Sequence, residues 1–581
     1  ATILDGKAQI SGGFQSAEEA QRLTDLLNAG ALPVPLKVIQ QTTVEATIGK
    51  VAVAKSMDAG AVGLGLVILF MACYYLLPGL LADIALAIYA LLSLAVFKLA
   101  HVTLTLPGIA AFILSIGMAV DANILIFERL KEELRGGKTL HAAVDAGFSR
   151  AFTSIFDSNM CTLITCAVLS YLGTGAIQGF AYVLALGVVI SMFTAITTTR
   201  TLLHMVVNTK LGEVAWLYGL GRQWVAGQQG RSLNIVGRMA IWFGLSAAVI
   251  IPGMIFWGTN GLKKGIDFTG GGFLQVSFQQ PTTTEAISGA LDNIGLTKST
   301  VQKGERNEYF IRTKEIDPEK APEVRNALKS IGGEVQSEEH VGGIVSKELT
   351  NNAVHSVLLA SLLIVFYLSI RFAIGGFAQG FRFGMCAILA TLHDIGVMIG
   401  IFAILGYFLN WEIDSLFITA LLTVIGFSTH DTIVIFDRIR ENLRHRIKGE
   451  DFEALVNRSI NQSFARSINT SFTVVLTLVG LLLFGAHSTR QFIVALLVGV
   501  VTGTYSSIFN ASQMLVLWQR VTGRDVSGRS VVPAGATKAR DLKPLVDVSL
   551  KTPGAEEVQE TTEEAVAEAK AKAAKKRKKR Y

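Results

Sequence analysis

Cysteine is scarce in this chain: four among 581 residues, and each of Cys73, Cys161, Cys166 and Cys386 lies inside a long apolar run. Thiols so placed imply no disulfide framework and no metal cluster, and they read as small buried side chains. The chain opens at Ala1 with neither an initiator methionine nor a signal peptide. In residues 259–352, the clearest soluble stretch, no His/Cys ligand set and no nucleophile–base arrangement is present, so nothing there suggests an enzyme. What the chain has is apolar length, with 51% hydrophobic residues and a mean hydropathy of +0.47.

Crossing a hydrocarbon core of about 30 Å takes about 20 apolar residues in helical form. Eleven runs qualify: 59–77, 80–100, 106–127, 155–173, 178–200, 239–258, 353–371, 383–406, 414–436, 466–485 and 491–515. The run 466–485 is the weakest, because its strongly apolar part begins only at Phe472. The fold class is therefore a polytopic α-helical membrane protein.

The net charge of +7 is concentrated in four segments. Arg129, Lys131, Arg135, Lys138 and Arg150 share one loop, and Arg438, Arg440, Arg444, Arg446, Lys448 and Arg458 share another. Lys210, Arg222 and Arg231 lie in the central connection, and a Lys/Arg block from Lys575 to Arg580 closes the chain. Threading eleven spans puts all four on one face, which the positive-inside rule makes cytoplasmic. Residues 1–58 and 259–352 then lie outside, and the C-terminus inside. From Pro533 onward apolar periodicity is lost, which reads as a largely disordered tail, either simply solvated or drawn to anionic membrane lipids.

Residues 1–58 begin as if already within a folded segment, helix-like over 17–29 and strand-like over 36–39. An N-terminus outside, with nothing to carry it across, leads us to expect another transmembrane helix upstream, giving twelve spans in the intact protein. Residues 259–352 read as strand 273–278, helix 282–293, strands 299–303 and 309–313, helix 317–330 and strand 334–338. That order is the ferredoxin-like, split βαβ arrangement, predicting a small α+β domain outside the membrane.

The transmembrane part repeats itself. Ile116-Gly117 leads through Asp121 to Phe127-Glu128-Arg129, and Ile425-Gly426 leads through Asp431 to Phe436-Asp437-Arg438, 309 residues later. Asp83 corresponds to Asp394 at an offset of 311, and the stretch from Arg150 to Asp157 and Asn159 corresponds to that from Gln462 to Asn469 and Ser471 at 312. In the strict register Asp121 aligns with His430, so the two aspartates match in depth rather than residue for residue. Both copies cross in the same direction, which predicts two parallel pseudo-symmetric halves with a working site between them.

An ionised Asp costs about 2.5–3.5 kcal/mol at the centre of a membrane helix on insertion scales, so such residues usually mark a pathway. Asp121 lies about 12 Å inside the Arg129 boundary and Asp431 about 10 Å inside Arg438, at 1.5 Å per residue. Arg466 lies roughly 27 Å from the outer end at Phe484 by the same rise, which allows it a common depth with Asp431. An Arg paired with the Asp keeps it ionised, and displacing the Arg loads a proton, the switch a proton-driven device needs. The alternatives are that Arg466 snorkels to the interface and that Asp121 and Asp431 serve only helix–helix contacts. Asp83 sits near the start of its span and reads as interfacial, whereas Asp394 lies eleven residues in. His393 and His430 stand beside aspartates and are either proton relays or plain hydrogen-bond partners. Asn123, Thr432, Asp157 and Asn159 are candidates for polar support. Glu128-Arg129 and Asp437-Arg438 read as structural anchors at helix ends, and Gly117 and Gly426 as close-approach points.

Together these residues resemble the SecD/SecF protein-export membrane family, in its fused SecDF form, within the resistance–nodulation–division superfamily. The SecD-like half carries Leu106-Pro107-Gly108-Ile109-Ala110, then Ile116 to Asn123 and Phe127-Glu128-Arg129; the SecF-like half carries Gly265-Ile266-Asp267-Phe268-Thr269-Gly270-Gly271, His393-Asp394 and Asp431 through Asn442. The likeness runs from about Ala31 to Trp518 and implies a non-enzymatic, proton-driven accessory of the Sec translocon that promotes preprotein translocation and membrane-protein insertion. It implies SecYEG, SecA and YajC-like subunits, unfolded preproteins and membrane lipids as partners, no nucleic acid, and protons as coupling ion in place of any cofactor. The family's membrane proton site falls on Asp121, Asp431 and Arg466, with His430 standing where Asn is expected. The implied layout is 1–58, the remnant of a first periplasmic domain; 59–200, the SecD-like spans; 201–238, a cytoplasmic connection; and 239–258, the first SecF-like span. After these come 259–352, the second periplasmic domain; 353–515, the remaining SecF-like spans; and 516–581, the basic tail. Two other classes compete. A small-molecule or lipid exporter of the superfamily predicts far larger external domains than 259–352. An intramembrane aspartyl protease needs a Gly-x-Gly-Asp signature, absent at both Asp121 and Asp431.

Overall fold

Eleven helices long and apolar enough to cross a membrane lie among the described residues. The computed structural model describes residues 40–44, 46–209, 214–219, 233–297, 299–304, 307–313, 321–373, 376–446 and 449–522. The helix expected over 17–29, the strand over 36–39 and most of the basic tail lie outside the described residues. The first half holds α1 (Ala46–Tyr75), α2 (Leu77–Leu99), α3 (Leu106–Arg135), α4 (Leu140–Leu172) and α5 (Ala176–Val207). After α6 (Val236–Asn260) come a short α7 (Ile266–Thr269) and the soluble domain. The chain then returns through α10 (Gly343–Arg371), α11 (Phe377–Leu409), α12 (Ser415–Arg444), α13 (Phe452–Phe484) and α14 (Arg490–Thr522). Two of these helices contain a π-helical turn, Thr194–Thr199 in α5 and Ser507–Ala511 in α14.

The helices run well past their apolar stretches at the basic end. The run 466–485 belongs to a 33-residue helix whose first turns are polar yet enclosed, with Ser459, Ser463, Ser467, Asn469 and Ser471 all buried. Burial against other helices, rather than contact with lipid, lets a polar stretch lie at that depth. Thr105 and Asp414 cap α3 and α12 by accepting from the backbone N–H groups of Gly108 and Phe417, which satisfies donors a helix start leaves open.

α3 and α12 form the centre. In their most apolar stretches 94% and 89% of residues are enclosed, against 17% in α6 and 28% in α10, which face outward. Each central helix crosses a helix of the other half: α3 packs on α13, and α12 on α4. At Gly117 an added Cβ would come within 3.0 Å of Thr477 Oγ1 and 3.1 Å of Val474 Cα; at Gly426 it would meet Thr165 Oγ1 at 2.8 Å and Thr162 Cα at 3.5 Å. Thr165 and Thr477, and likewise Thr162 and Val474, are 312 residues apart, so the two crossings are one contact made twice. At Gly117 the tight contact includes backbone, which cannot step aside, whereas at Gly426 the tight contact is with the Thr165 hydroxyl and the backbone lies at ordinary contact distance.

The soluble domain holds β2 (Gly271–Phe278), α8 (Thr284–Asp292), β3 (Thr300–Lys303), β4 (Glu308–Thr313), α9 (Ala321–Ser330) and β5 (Gly333–Val341). Residues 317–320, expected in the second helix, lie outside the described residues. The sheet order β5-β2-β4-β3, antiparallel throughout, is ferredoxin-like. Leu274, Val276, Ile287, Leu291, Ile311 and Leu328 form a separate core beneath its two helices. A fifth strand, β1 (Gln40–Val44), pairs antiparallel with β5, Gln40 opposite Val341 and Val44 opposite Ser337. β1 leads into α1 and β5 into α10, so the sheet joins the chain just ahead of two repeat-equivalent spans, one in each half.

Candidate functional site

The site lies between the two central helices. Asp121 of α3 and His430 of α12 are enclosed, and His430 Nε2 stands 2.6 Å from Asp121 Oδ2. These residues occupy the same place in the repeat, 309 positions apart, so the pair spans the pseudo-twofold axis. Asp431, one residue on and 2% exposed, accepts from Ser471 Oγ of α13 at 3.0 Å and from Thr504 Oγ1 of α14 at 3.2 Å. Asn123 and Thr432 are again repeat equivalents, and each reaches a π-helical turn. Thr199 Oγ1 donates to Asn123 Oδ1 at 2.8 Å in α5, and Thr432 and Ser507 hydroxyls are 2.8 Å apart in α14. A π turn displaces side chains from the regular helical position and recurs at functional sites.

Arg466 does not pair with Asp431. It is 3% exposed, and its Nη2 lies 3.4 Å from Glu132 Oε1. The residue of α13 level with Asp431 is Ser471, five positions later, which sets Arg466 about 7 Å closer to the basic end at 1.5 Å per residue. Counting back from Phe484 allowed a common depth but could not show that the guanidinium turns the other way. Free snorkelling is excluded as well, since the enclosed guanidinium ends on the half-buried Glu132 carboxylate rather than in water.

Arg129 and Arg438, expected as structural anchors at helix ends, bind one half to the other. They are mostly enclosed, and they cross between the halves: Arg129 Nη2 lies 3.0 Å from Glu441 Oε2, and Arg438 Nη1 3.3 Å from Glu132 Oε2. Asp437 accepts from Ser154 Oγ of α4 at 2.6 Å and pairs with Arg440.

The remaining candidates fall into local clusters. Asp394 accepts from Ser428 Oγ at 2.6 Å and Ser506 Oγ at 2.7 Å, with His393 Nδ1 at 2.9 Å. His393 Nε2 is in turn 2.9 Å from Ser246 Oγ of α6. This network lies wholly in the second half; its repeat counterpart Asp83 has both carboxyl oxygens enclosed and no hydrogen-bond partner among the described residues. Asp83 is thus no ordinary water-facing interfacial residue. Asp157 accepts from Tyr367 at 3.0 Å and pairs with Arg371 Nε at 2.5 Å, tying α4 to α10. Asn159 donates to Ile155 O of its own helix and joins neither aspartate. Sequence reasoning assigned no role to Ser471, Thr504, Ser428 or Glu132; for Ser471 and Thr504 the density of serine and threonine in α13 and α14 was the available signal. No group of three or more His, Cys, Asp or Glu that could hold a metal occurs among the described residues.

Outside the spans a second polar seam joins the soluble domain to α12. Ser415 N donates to Asp267 Oδ2 at 2.9 Å, Asp414 caps the same helix, and Arg312 pairs with Glu412 at 2.6 Å. Burial, followed by the nearby Asp267 charge, pushes the Asp414 carboxyl up to about 7; the same two causes raise Glu339. A carboxyl raised in the folded state binds more protons folded than unfolded, so its contribution is full below the unfolded value and is lost as pH rises through the folded one. For Asp414 that window runs from 3.8 to about 7. The melting temperature of the purified protein should therefore fall between about pH 5 and about pH 8. Asp414→Asn, which keeps the cap, should remove part of that fall, and an unchanged pH profile in this variant would refute the assignment.

The profile of the family described as protein export membrane protein SecD/SecF, C-terminal, matches residues 29–209 and again residues 323–521, the two repeats. The chain belongs to the SecD/SecF protein-export family. SecDF relatives match both halves in one chain: the protein translocase subunit SecDF of Bacillus subtilis is 38% identical over 528 residues, 88% of this chain and 70% of the relative. The protein translocase subunit SecF of Thermobaculum terrenum is 44% identical over 320 residues, covering 52% of this chain and the whole of that protein. Among solved structures, the crystal structure of Thermus thermophilus SecDF, described as a translocon-associated membrane protein, superposes with a TM-score of 0.77 at 33% identity. It covers 87% of this chain and 68% of that one. The chain is thus a multi-pass membrane protein with the SecDF architecture.

Proposed function

We propose that this chain is a proton-driven accessory of the Sec translocon, using a proton path through Asp121, Asp431 and Arg466 to promote movement of unfolded preproteins across, and insertion of proteins into, the membrane. Its place among protein translocase subunits supplies the Sec-associated translocation role. The proton drive is supported by one observation above all. A carboxylate and an imidazole from equivalent places in the two halves meet across the pseudo-twofold axis, next to a second enclosed carboxylate. Protonation at such a place changes how the two halves attract one another, and so couples proton transfer to their relative movement. In this reading the basic face is cytoplasmic, which the positive-inside rule favours, and the sheet domain lies outside, where it can grip emerging chain. SecYEG is the partner in this reading, with SecA and YajC-like subunits beside it. Export of an unfolded secretory protein into inverted vesicles, with and without an imposed proton gradient, tests it. Stimulation by the protein that is indifferent to the gradient would remove the proton drive and leave the translocation role standing.

A further inference from the structure

Beneath the aspartates, α3 and α12 each pass through about one turn of enclosed apolar side chains, Ile124, Leu125, Ile126 and Phe127 in one and Ile433, Val434, Ile435 and Phe436 in the other. Below that layer four charges close on one another. Arg129 is 3.0 Å from Glu132 and 3.0 Å from Glu441; Arg438 is 3.3 Å from Glu132 and 3.0 Å from Glu441. The signs alternate around a ring. Arg129 and Arg438 are repeat equivalents, as are Glu132 and Glu441, each pair 309 residues apart, so the ring sits on the same axis as the Asp121–His430 pair.

The ring is symmetric in its members and asymmetric in what it holds. Glu132 has a third cation, the enclosed Arg466, at 3.4 Å. At the 312 offset the counterpart of Arg466 is Ser154, which bonds Asp437 instead. Glu441 instead meets Arg150 as a further cation, at 3.9 Å from a side chain that is 53% exposed. Arg466 is moreover poorly satisfied, its Nε being enclosed and without a partner. A buried guanidinium held by one long contact has not recovered its desolvation cost, and a better-placed carboxylate would draw it away.

We propose that Arg129, Glu132, Arg438 and Glu441 form the inner gate of the proton pathway, and that Glu132 is a positioning residue that retains Arg466 below Asp431 while the gate is shut. This rests on the proton-driven reading above. The apolar layer and the neutral ring keep water from reaching the aspartates from the basic face. Separation of α3 from α12 at this end breaks the two contacts that cross between halves and releases Arg466.

Proteoliposomes holding an imposed pH gradient, with no export substrate present, test the gate. Protein with Glu132→Gln and Glu441→Gln should dissipate the gradient about tenfold faster than wild type, equivalent to roughly 1.4 kcal/mol less barrier. Adding Asp431→Asn should return the wild-type rate, because the leak then lacks its carrier. A leak that persists with Asp431→Asn, or no leak at all, overturns the gate. A second variant leaves the four ring residues in place: with the four native cysteines replaced by alanine, Ser154→Cys of α4 and Asp437→Cys of α12, short side chains that touch across the halves at 2.6 Å, are oxidised to a disulfide. The locked protein should lose gradient-dependent export and regain it on reduction; export that continues while cross-linked overturns the proposal. Wild type that shows no gradient dependence refutes the proton drive itself, an outcome distinct from failure of the gate.

Discussion

Asp431→Asn is expected to abolish the gradient-dependent part of export while leaving the protein folded and inserted. Asparagine is nearly isosteric and can still accept from Ser471 and Thr504, the two hydroxyls that hold Asp431, so the local packing survives. What it cannot do is take up and release a proton. A carboxylate at this depth costs about 2.5–3.5 kcal/mol on insertion scales, so removing its charge should hold or raise the melting temperature while transport coupling fails. Asp121→Asn should give the same loss. The measurement is uptake of a secretory protein into inverted vesicles, the rate with a gradient set against the rate without. If both variants keep undiminished stimulation, neither carboxylate is on the path.

His430→Leu should be nearly as severe, and for a different reason. Removing the imidazole leaves Asp121 enclosed with no partner at the 2.6 Å contact, and breaking a buried charged pair from one side typically costs about 3–5 kcal/mol. The protein escapes that cost by holding Asp121 protonated, which stops the cycle. His430→Asn should behave otherwise, since the amide can still donate to Asp121. It should retain most gradient-dependent export and differ mainly in pH dependence, because an amide does not titrate near neutrality as imidazole does. Equal loss in His430→Leu and His430→Asn would show that the imidazole itself carries the proton. Equal retention would show that the Asp121 contact is dispensable.

Much of this architecture was legible before any coordinates. Spans are legible because a bilayer core demands about 20 apolar residues whatever the fold, and all eleven are present. The ferredoxin-like order was legible from alternating strands and amphipathic helices. β1 was not: QQTTV has no apolar alternation, and its pairing with β5 comes from main-chain hydrogen bonds that side chains do not announce. The repeat revealed Asp121 and Asp431, and even set Asp121 against His430 in register. Which carboxylate His430 meets was not legible, since a helix separates i and i+1 by about 100° and only packing says which partner each faces.

Arg466 shows where sequence stops. Composition and spacing establish that a lone arginine lies within reach of carboxylates inside the membrane, because a charge there must be paired. Which carboxylate it meets depends on how far α13 slides past α12 and on the direction its side chain takes, neither of which leaves a periodic mark. The same division holds for the whole chain. Its sequence determined the membrane class, the number of spans, the twofold repeat and the family, each of which follows from hydrophobic length and motif order. Tertiary structure alone decided that the halves exchange partners at Gly117 and Gly426, that Asp121 meets His430, and that Arg129 and Arg438 close into a ring with Glu132 and Glu441. Those are contacts between residues some 300 positions apart, fixed by helix packing angles that no local pattern encodes.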